Sequence, residues 1–341
     1  MEKKIKYIMW TGFTGSGSSA VGDYLKEFAK TFECGKEIRF IKDPYGLIDL
    51  EYHLVGQWEF INSIAAVHDF LNQSKIWGHY GDNPFSRPGL SYKKKINKDY
   101  YKLTKKFIDE LTVYTFRRDF YHTKFKKNYF MYVTDRIRNY IERKTKGKLK
   151  ISNRHIKINN FCTPTKEEFE TAAKRYINNL FAIHANNGET TILLDLPISP
   201  SNTQSMHSFF DNAKMIIVER DPRDMYVEEF EWGLRYGKKL GEKEDGKEYV
   251  LKRQAMRRTM DINDKDILYI HFEDLVLKYE ETTKIIREFV GFEEKDHIFP
   301  FKYFKPEQSK KNIGLWKKYY NKYKDAIDII HEDLADICYE G

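Results

Sequence analysis

The sequence predicts an α/β fold in which helices flank a central parallel β-sheet. Short apolar runs alternate with helical patterns along the chain, which is typical of parallel sheets. A loop rich in Gly and Ser separates the first apolar run from the first helical pattern. The 341 residues, of which 16% are aromatic, suffice for a sizeable core and exclude a disordered chain. We expect residues 1–341 to form a single domain.

The strands and helices of this fold follow from hydrophobic periodicity. Continuous apolar runs predict four buried strands, over residues 5–10, 190–195, 214–219 and 266–271. Apolar residues at helical spacing, such as Val21, Leu25 and Phe28 after the first strand, predict helices. The helices are expected over residues 18–32, 167–185, 221–236, 249–260 and 275–290, with Gly291 closing the last.

A basic, aromatic-rich segment shows no strand pattern and is predicted to be a helical insertion over residues 89–157. Residues 92–157 hold 21 Lys or Arg against 6 Asp or Glu, and such an excess favours an anionic partner. The 13 Phe and Tyr of the same stretch could stack on bases or sugars, or form the buried stripe of long helices. The buried stripe is the more common arrangement, so a nucleic-acid partner is not favoured.

Three features of the sequence favour a cytoplasmic protein without a metal. Mean hydropathy is −0.69, and no stretch reaches the roughly 18 to 20 apolar residues that span a bilayer. The first apolar run lacks a cleavage site of small residues, which argues against a signal peptide. Cys34, Cys162 and Cys338 are too far apart for a metal-ligand pattern. We therefore predict no transmembrane segment and no metal site.

The loop from Gly12 to Ser19 is a candidate anion-binding site. Backbone N–H groups of such a loop, together with those at the start of the following helix, can cradle a phosphate or sulfate. The residues expected to contact the anion are Thr14, Gly15, Ser16, Gly17, Ser18 and Ser19. In a Walker A loop, G-x-x-x-x-G-K-[ST], a lysine would stand at Ser18. A nucleoside-triphosphate hydrolase without that lysine loses its main charge on the transferred group, so ATP chemistry is disfavoured.

Four segments, in the same order along the chain, resemble the sulfotransferases that use 3′-phosphoadenosine 5′-phosphosulfate (PAPS). Residues 15–19 match the R-S-G-S-S of carbohydrate sulfotransferases at all but the first place, and residues 220–224 match R-[ND]-P-x-[DE]. Residues 267–275 resemble a strand end that carries Y-E-D-L, and residues 309–317 resemble R-K-G-x-x-G-x-W-K. The resemblance implies a P-loop-like three-layer fold, PAPS as the sulfuryl donor, and Arg220 as the residue that holds its 3′-phosphate.

The chain departs from this family's pattern at positions that bear charge. Gly15 stands where the loop usually carries Lys or Arg, and Glu228 replaces the serine that partners the phosphate-binding arginine. In the C-terminal segment Lys310 is retained, whereas Lys311 replaces a glycine. We expect Glu228, Lys310 and Lys311 to lie at the donor site. Candidates for the compensating positive charge are Lys310, Lys311, Arg39 and Arg223.

Two carboxylates are candidates for the general base that sulfuryl transfer to a hydroxyl requires. Glu37 lies in a stretch, residues 35–41, that resembles the E-V-x-F-F of heparan-type sulfotransferases, whose glutamate is the base. Asp195 ends the second predicted strand, where cytosolic sulfotransferases have the histidine of T-H-L-P. Strand-like alternation after Glu37 would place Glu37 and Arg39 on one face.

The predicted function is the transfer of a sulfuryl group from PAPS to a hydroxyl acceptor. The resemblance implies a carbohydrate acceptor, such as a surface or capsular glycan precursor. One alternative is a kinase-like P-loop phosphotransferase, which the missing Walker lysine disfavours. Another is a non-catalytic module that binds a nucleotide or an anionic polymer. The departures at Gly15 and Glu228 favour that module, whereas the presence of Glu37 and Asp195 favours the enzyme.

Overall fold

Apolar runs form the central sheet where their pattern predicts it. A computed structural model of the chain describes residues 5–79, 88–118, 120, 129–146, 148, 158–231, 242–260 and 263–340. The strands are β1 (Lys6–Gly12), β2 (Thr31–Glu33), β3 (Thr112–Arg117), β4 (Ile158–Cys162), β5 (Thr191–Asp195), β6 (Ala213–Glu219) and β7 (Ile267–His271). Strands β1, β5, β6 and β7 confirm the four strands that the sequence predicts.

Five of these strands form one parallel sheet with the order β2-β5-β1-β6-β7. The central strand β1 lies between β5 and β6, so Trp10 pairs with Asp195 on one side and with Ile216 on the other. Because the strands are parallel, the carboxyl ends of β1, β5 and β6 share one edge of the sheet, where α/β proteins bind their ligands. The glycine-rich loop follows β1 at this edge, which confirms the predicted P-loop-like α/β class.

Helices lie between these strands along the chain. In chain order they are α1 (Ser19–Leu25), α2 (Arg39–Lys42), α3 (Leu47–Glu51), α4 (Phe60–Gly78), α5 (Tyr92–Lys95), α6 (Tyr100–Leu111), α7 (Tyr129–Lys144), α8 (Lys166–Asn186), α9 (Ser205–Phe209), α10 (Pro222–Glu231), α11 (Lys243–Arg257), α12 (Phe272–Leu277), α13 (Tyr279–Val290), α14 (Pro306–Ser309) and α15 (Leu315–Asp333). A π-helical turn occupies Tyr52–Gly56. Turns of 3-10 helix occupy Pro200–Asn202, Glu294–Asp296, Lys310–Asn312 and Ala335–Ile337.

The chain divides into two compact units, and the first contains the five-stranded sheet. This unit comprises Met1–Lys42, Tyr92–Lys98 and Ile177–Gly341. Its core joins β1 to α1, where Trp10 packs so closely that a Cβ atom on Gly22 would lie 2.4 Å from the indole ring. Only glycine fits at that point, because protein interiors are close-packed.

A second core of the first unit joins α10, α11 and α15. The ring of Tyr226 meets the rings of Tyr249 and Tyr323 edge-on, at centroid distances of 5.3 and 6.0 Å. The Tyr226 hydroxyl also donates to Asp245 over 2.6 Å. These contacts fix α10, the helix that begins directly after the carboxyl end of β6.

The second unit, formed by Asp43–Ser91 and Asp99–Tyr176, combines helices with the antiparallel pair β3–β4. Phe107 of α6 is fully buried at its centre. Its ring stacks on Tyr176 at a centroid distance of 5.1 Å and meets Phe70 of α4 edge-on at 5.9 Å. Aromatic side chains at helical spacing therefore form a buried stripe along α6, the arrangement that the sequence favours.

The predicted insertion, residues 89–157, contains a strand that the prediction of an all-helical segment missed. Strand β3 forms where β-branched and aromatic residues alternate, a composition suited to a pleated surface. The same aromatic spacing also fits a helix, which obscured the strand. Helix α7 differs from α6, because Tyr129 and Phe130 are 81% and 76% exposed. Parts of the insertion (119, 121–128, 147, 149–157) lie outside the described residues, and a single domain with this insertion stays a prediction.

The first predicted helix is wrong in its second half. Predicted over residues 18–32, it ends at Leu25, and Thr31–Glu33 instead forms the edge strand β2. A strand of three residues is too short for alternation to identify it in a sequence. Residues 37–41 do not form the predicted strand either, because Arg39–Lys42 is a short helix.

Two later helices also differ from their predicted bounds, and the first of them, predicted over residues 249–260, spans Lys243–Arg257. The helix predicted over residues 275–290 is broken at Lys278, whose φ and ψ are −117° and 47°, so α12 and α13 are separate. Gly291 ends α13 in the left-handed conformation, as predicted. Residues 232–236 of the helix predicted over 221–236 lie outside the described residues.

No helix in the described part of the chain is both long and apolar enough to cross a membrane. Cys34, Cys162 and Cys338 are all buried free thiols. Burial raises the pKa of the Cys34 thiol to about 12, so it stays protonated at neutral pH. The cytoplasmic location stays a prediction from the sequence.

Candidate active site

The loop between β1 and α1 has a backbone that requires glycine. Gly15 and Gly17 have φ angles of +84° and +75°, in the left-handed region that other residues rarely adopt. A Cβ atom on Gly17 would also lie 2.5 Å from the ring of Phe272. A Cβ atom on Gly12 would lie 2.0 Å from the Ser16 Oγ. The spacing of the glycines thus gives the loop one compact shape.

This shape leaves donors free to bind an anion. Within the described residues, no acceptor pairs with the backbone N–H groups of Gly15, Gly17 and Ser18. The Ser16 Oγ is buried and has no hydrogen-bond partner there. A buried polar atom without a partner costs about 1 to 3 kcal/mol, so an anionic oxygen bound here would remove that cost. The predicted loop residues therefore fit the phosphosulfate end of a PAPS molecule, with Thr14 and Ser19 exposed beside the cradle.

Arg220 lies beneath this loop at the carboxyl end of β6. Its guanidinium is only 2% exposed and lies over the ring of Phe272, 5.3 Å from the centroid. The Nη1 group donates to the carbonyl oxygen of Gly15 over 2.7 Å, and Nη2 donates to the carbonyl oxygen of Asn312 over 2.6 Å. Arg220 thus joins the glycine-rich loop to the C-terminal segment, a link that the sequence does not reveal.

Glu228 lies next to Arg220, as the sequence predicts. Its Oε2 accepts a hydrogen bond from Nη1 of Arg220 and forms an ion pair with that guanidinium. By contrast, Arg223, a candidate for compensating charge, does not face the loop. It is buried and bound to Asp221, with Nη2 to Oδ2 at 2.6 Å, and lies over the Trp316 ring at 4.1 Å.

The C-terminal segment is held against α10 by Asp224. This carboxylate accepts hydrogen bonds from the backbone N–H groups of Gly314, over 2.7 Å, and Trp316, over 2.9 Å. Lys310 pairs with Glu307 at 2.7 Å and is exposed. Lys311 is also exposed and has no partner among the described residues. Lys311 is therefore the predicted donor-site cation that is free to meet a phosphate.

The two candidate bases, Glu37 and Asp195, lie close together. The backbone N–H of Ile38 donates to the carbonyl oxygen of Asp195 over 2.8 Å, which places Glu37 beside the end of β5. Burial, together with the charges of Glu37 and Glu33, raises the pKa of Asp195 to about 6. Leu196, the next residue, has a φ of +49°. Non-glycine residues rarely adopt this conformation, and those that do are often found at functional sites.

Glu37 is paired with Arg39, although not by the strand that the sequence suggests. The two side chains form an ion pair of 2.7 Å across a turn that leads into α2. Tyr92 fixes this turn: its hydroxyl donates to the Glu37 carbonyl oxygen and accepts from the Arg39 backbone N–H over 2.8 Å. The predicted neighbours are thus correct, and the predicted strand geometry is wrong.

Glu273 is a further buried carboxylate, to which the sequence assigned no role. Burial raises its pKa to about 7. Its Oε1 accepts from the Asp221 backbone N–H over 2.9 Å, and its Oε2 has no partner among the residues that the structure describes. Its only signal in the sequence is its place in the strand end that resembles Y-E-D-L.

One group in the described part of the chain could supply three ligands to a metal ion, namely His207, Asp264 and Asp266. It lies near the amino ends of β6 and β7, at the edge of the sheet opposite the glycine-rich loop. Lys214 already pairs with Asp266 at 2.7 Å. The prediction that the reaction uses no metal stays a prediction.

A comparison with family models identifies the class of protein to which this site belongs. The model described as the sulfotransferase family matches residues 120–296, which is more than half of the chain. The protein belongs to the sulfotransferase family. Membership confirms the predicted enzyme class, PAPS as the predicted donor, and transfer to a hydroxyl acceptor. It also decides against the kinase-like and non-catalytic alternatives.

Several solved structures are similar to this sulfotransferase. The sulfotransferase domain of the Synechococcus PCC 7002 olefin synthase is 13% identical, with a TM-score of 0.37 over 91% of this chain and 87% of that chain. A sulfotransferase from Mycobacterium tuberculosis is 10% identical, with a TM-score of 0.39 over 91% and 76%. A retinol dehydratase in complex with androsterone and inactive cofactor PAP is 16% identical, with a TM-score of 0.29 over 52% and 67%. No curated protein matches the sequence.

Proposed function

We propose that this sulfotransferase transfers a sulfuryl group from PAPS to a carbohydrate hydroxyl, such as one on a surface or capsular glycan precursor. One observation carries the catalytic part of the proposal. Strands β1 and β5 are adjacent in the sheet. Strand β1 is followed by the loop with free N–H donors, and β5 ends in Asp195, a carboxylate whose pKa is about 6. This combination supports the binding of an anionic leaving group next to a base for the acceptor proton.

The donor site in this proposal consists of the residues predicted from the sequence. PAPS supplies the sulfuryl group, and its nucleotide part is the leaving group. The loop from Thr14 to Ser19 binds the phosphosulfate through its N–H and hydroxyl groups. Arg220 and Lys311 bind the 3′-phosphate, with Lys310 beside it.

The base in this proposal is Asp195, and Glu37 orients the acceptor. A base works best when its pKa lies near the operating pH, and the raised pKa of Asp195 meets that condition. The Asp195 carboxylate takes the proton of the acceptor hydroxyl as the oxygen attacks sulfur. One oxygen of Glu37 is already engaged by Arg39 at 2.7 Å, which suits this residue to positioning.

The carbohydrate acceptor is proposed on two grounds. The loop resembles that of carbohydrate sulfotransferases, and the positive charge of residues 92–157 favours an anionic polymer. The test is transfer of radiolabelled sulfate from PAPS to three acceptors: an acidic polysaccharide, a neutral polysaccharide and a simple phenol. Label in the acidic polysaccharide, weakened by salt, supports the proposal. Transfer to the phenol alone would contradict the carbohydrate assignment.

A further inference from the structure

The ion pair between Arg220 and Glu228 occupies the group that the proposed function assigns to the donor's 3′-phosphate. Arg220 is 2% exposed, and the Glu228 side chain is 23% exposed. The buried Nε of Arg220 has no hydrogen-bond partner among the described residues, whereas both Nη groups are engaged. Its Nη1 group donates to the Gly15 carbonyl oxygen and to Glu228, and its Nη2 group donates to the Asn312 carbonyl oxygen. The ring of Phe272 covers one face of the guanidinium.

These partners differ in how easily a ligand could displace them. The acceptors on Gly15 and Asn312 are backbone carbonyl oxygens, fixed by the loop and by the C-terminal segment. Glu228 is a side chain on α10 that reaches solvent and can rotate away. An anion that binds Arg220 must therefore replace Glu228, or must lie beside it.

The other charges near Arg220 make that replacement harder. Asp224 and Glu273 both lie close enough for their charges to interact with Arg220. A phosphate dianion placed here would meet these carboxylates as well as Glu228, and like charges at short range repel. The exposed Lys311 would offset only part of this repulsion, because solvent screens it.

We propose that Glu228 is a specificity-determining residue that competes with the 3′-phosphate for Arg220. The inference rests on the proposed function, and it concerns the residue at which this chain departs from the family's serine. Glu228 acts as an internal anion, so the 3′-phosphate adds little to the affinity for the nucleotide. The spent nucleotide, 3′-phosphoadenosine 5′-phosphate (PAP), is therefore bound weakly and leaves readily.

The experiment compares two nucleotides that differ only in the 3′-phosphate, namely PAP and AMP. Calorimetry on the full chain gives both affinities for the wild type, Glu228→Gln and Glu228→Ser. We expect the wild type to bind PAP less than about threefold more tightly than AMP. Both variants should bind PAP at least about tenfold more tightly than the wild type, with AMP affinity unchanged.

Glu229→Gln is the matched control, because Glu229 is the adjacent carboxylate and pairs with Lys252 at 2.7 Å instead. It should leave both affinities unchanged. Weaker PAP binding in the Glu228 variants, or an equal gain for PAP and AMP, would overturn the role of Glu228. If neither nucleotide binds to folded wild type or to a folded variant, the proposed donor site itself is wrong, and this proposal fails with it.

Discussion

The backbone N–H of Ile38 lies 2.8 Å from the carbonyl oxygen of Asp195 and donates a hydrogen bond to it. This bond joins the segment after β2 to the end of β5, across residues that are far apart in sequence. It brings Glu37 near Asp195, and burial together with the negative charges of Glu37 and Glu33 raises the pKa of Asp195.

Asp195→Asn should lower kcat by at least about 10² and leave the affinity for PAP unchanged, because only proton acceptance is lost. Single-turnover sulfate transfer and calorimetry measure the two effects. Glu37→Gln is the paired variant, and we expect it to raise the acceptor KM more than it lowers kcat. A large loss of kcat in Glu37→Gln, with Asp195→Asn near wild type, would assign the base to Glu37.

The rate of sulfate transfer should depend on the ionisation of Asp195. A base must be deprotonated to act, so kcat/KM should rise with pH through about 6, the raised pKa of this carboxyl, and then level off. A pH profile from 4.5 to 8 at fixed ionic strength measures this. The residual activity of Asp195→Asn should lack the rise, and an unchanged rise in that variant would show that another group titrates.

Gly17→Ala should lower both the stability of the protein and its affinity for PAP by more than the unfavourable φ alone would. The new Cβ would lie 2.5 Å from Phe272, so the loop or the ring must move. We expect a loss of about 2 to 4 kcal/mol in the free energy of unfolding and at least about tenfold weaker PAP binding. Gly188→Ala is the matched control, because Gly188 also has a positive φ, +100°, but open space around it.

Gly188→Ala should cost about 1 to 2 kcal/mol, from the unfavourable φ alone, and leave PAP binding unchanged. Urea unfolding and calorimetry on both variants make the comparison. Equal effects of the two substitutions on PAP binding would show that the shape of the loop does not matter.

Glu273→Gln should stabilise the protein at neutral and alkaline pH. The folded-state pKa of Glu273, about 7, lies above its ordinary value of 4.5, so its charged form disfavours folding. The free energy of unfolding of the wild type should therefore fall as the pH rises towards and through about 7, whereas that of the variant should not show this fall. We expect a gain of about 1 to 3 kcal/mol at pH 8 and none at pH 4, measured by urea unfolding. A variant less stable at both pH values would show that the carboxylate stabilises the fold.

Local patterns in the sequence determined much of this fold. The apolar runs that form β1, β5, β6 and β7 and the left-handed Gly291 are visible one segment at a time. So is the glycine-rich loop, because its shape depends on φ angles that only Gly15 and Gly17 adopt readily. The strand β2 and the break at Lys278 lack such a signal, since each involves only one to three residues.

Only the tertiary structure decided how the site is assembled. The sequence named Glu37 and Asp195 as alternatives, but the pairing of distant segments made them neighbours and raised the pKa of one of them. It predicted Arg220 as a ligand for phosphate. In the folded structure that guanidinium donates hydrogen bonds to Gly15, Asn312 and Glu228. Periodicity reports which residues are buried, whereas the partner of a buried charge depends on contacts between segments far apart in the chain, and no local pattern encodes those contacts.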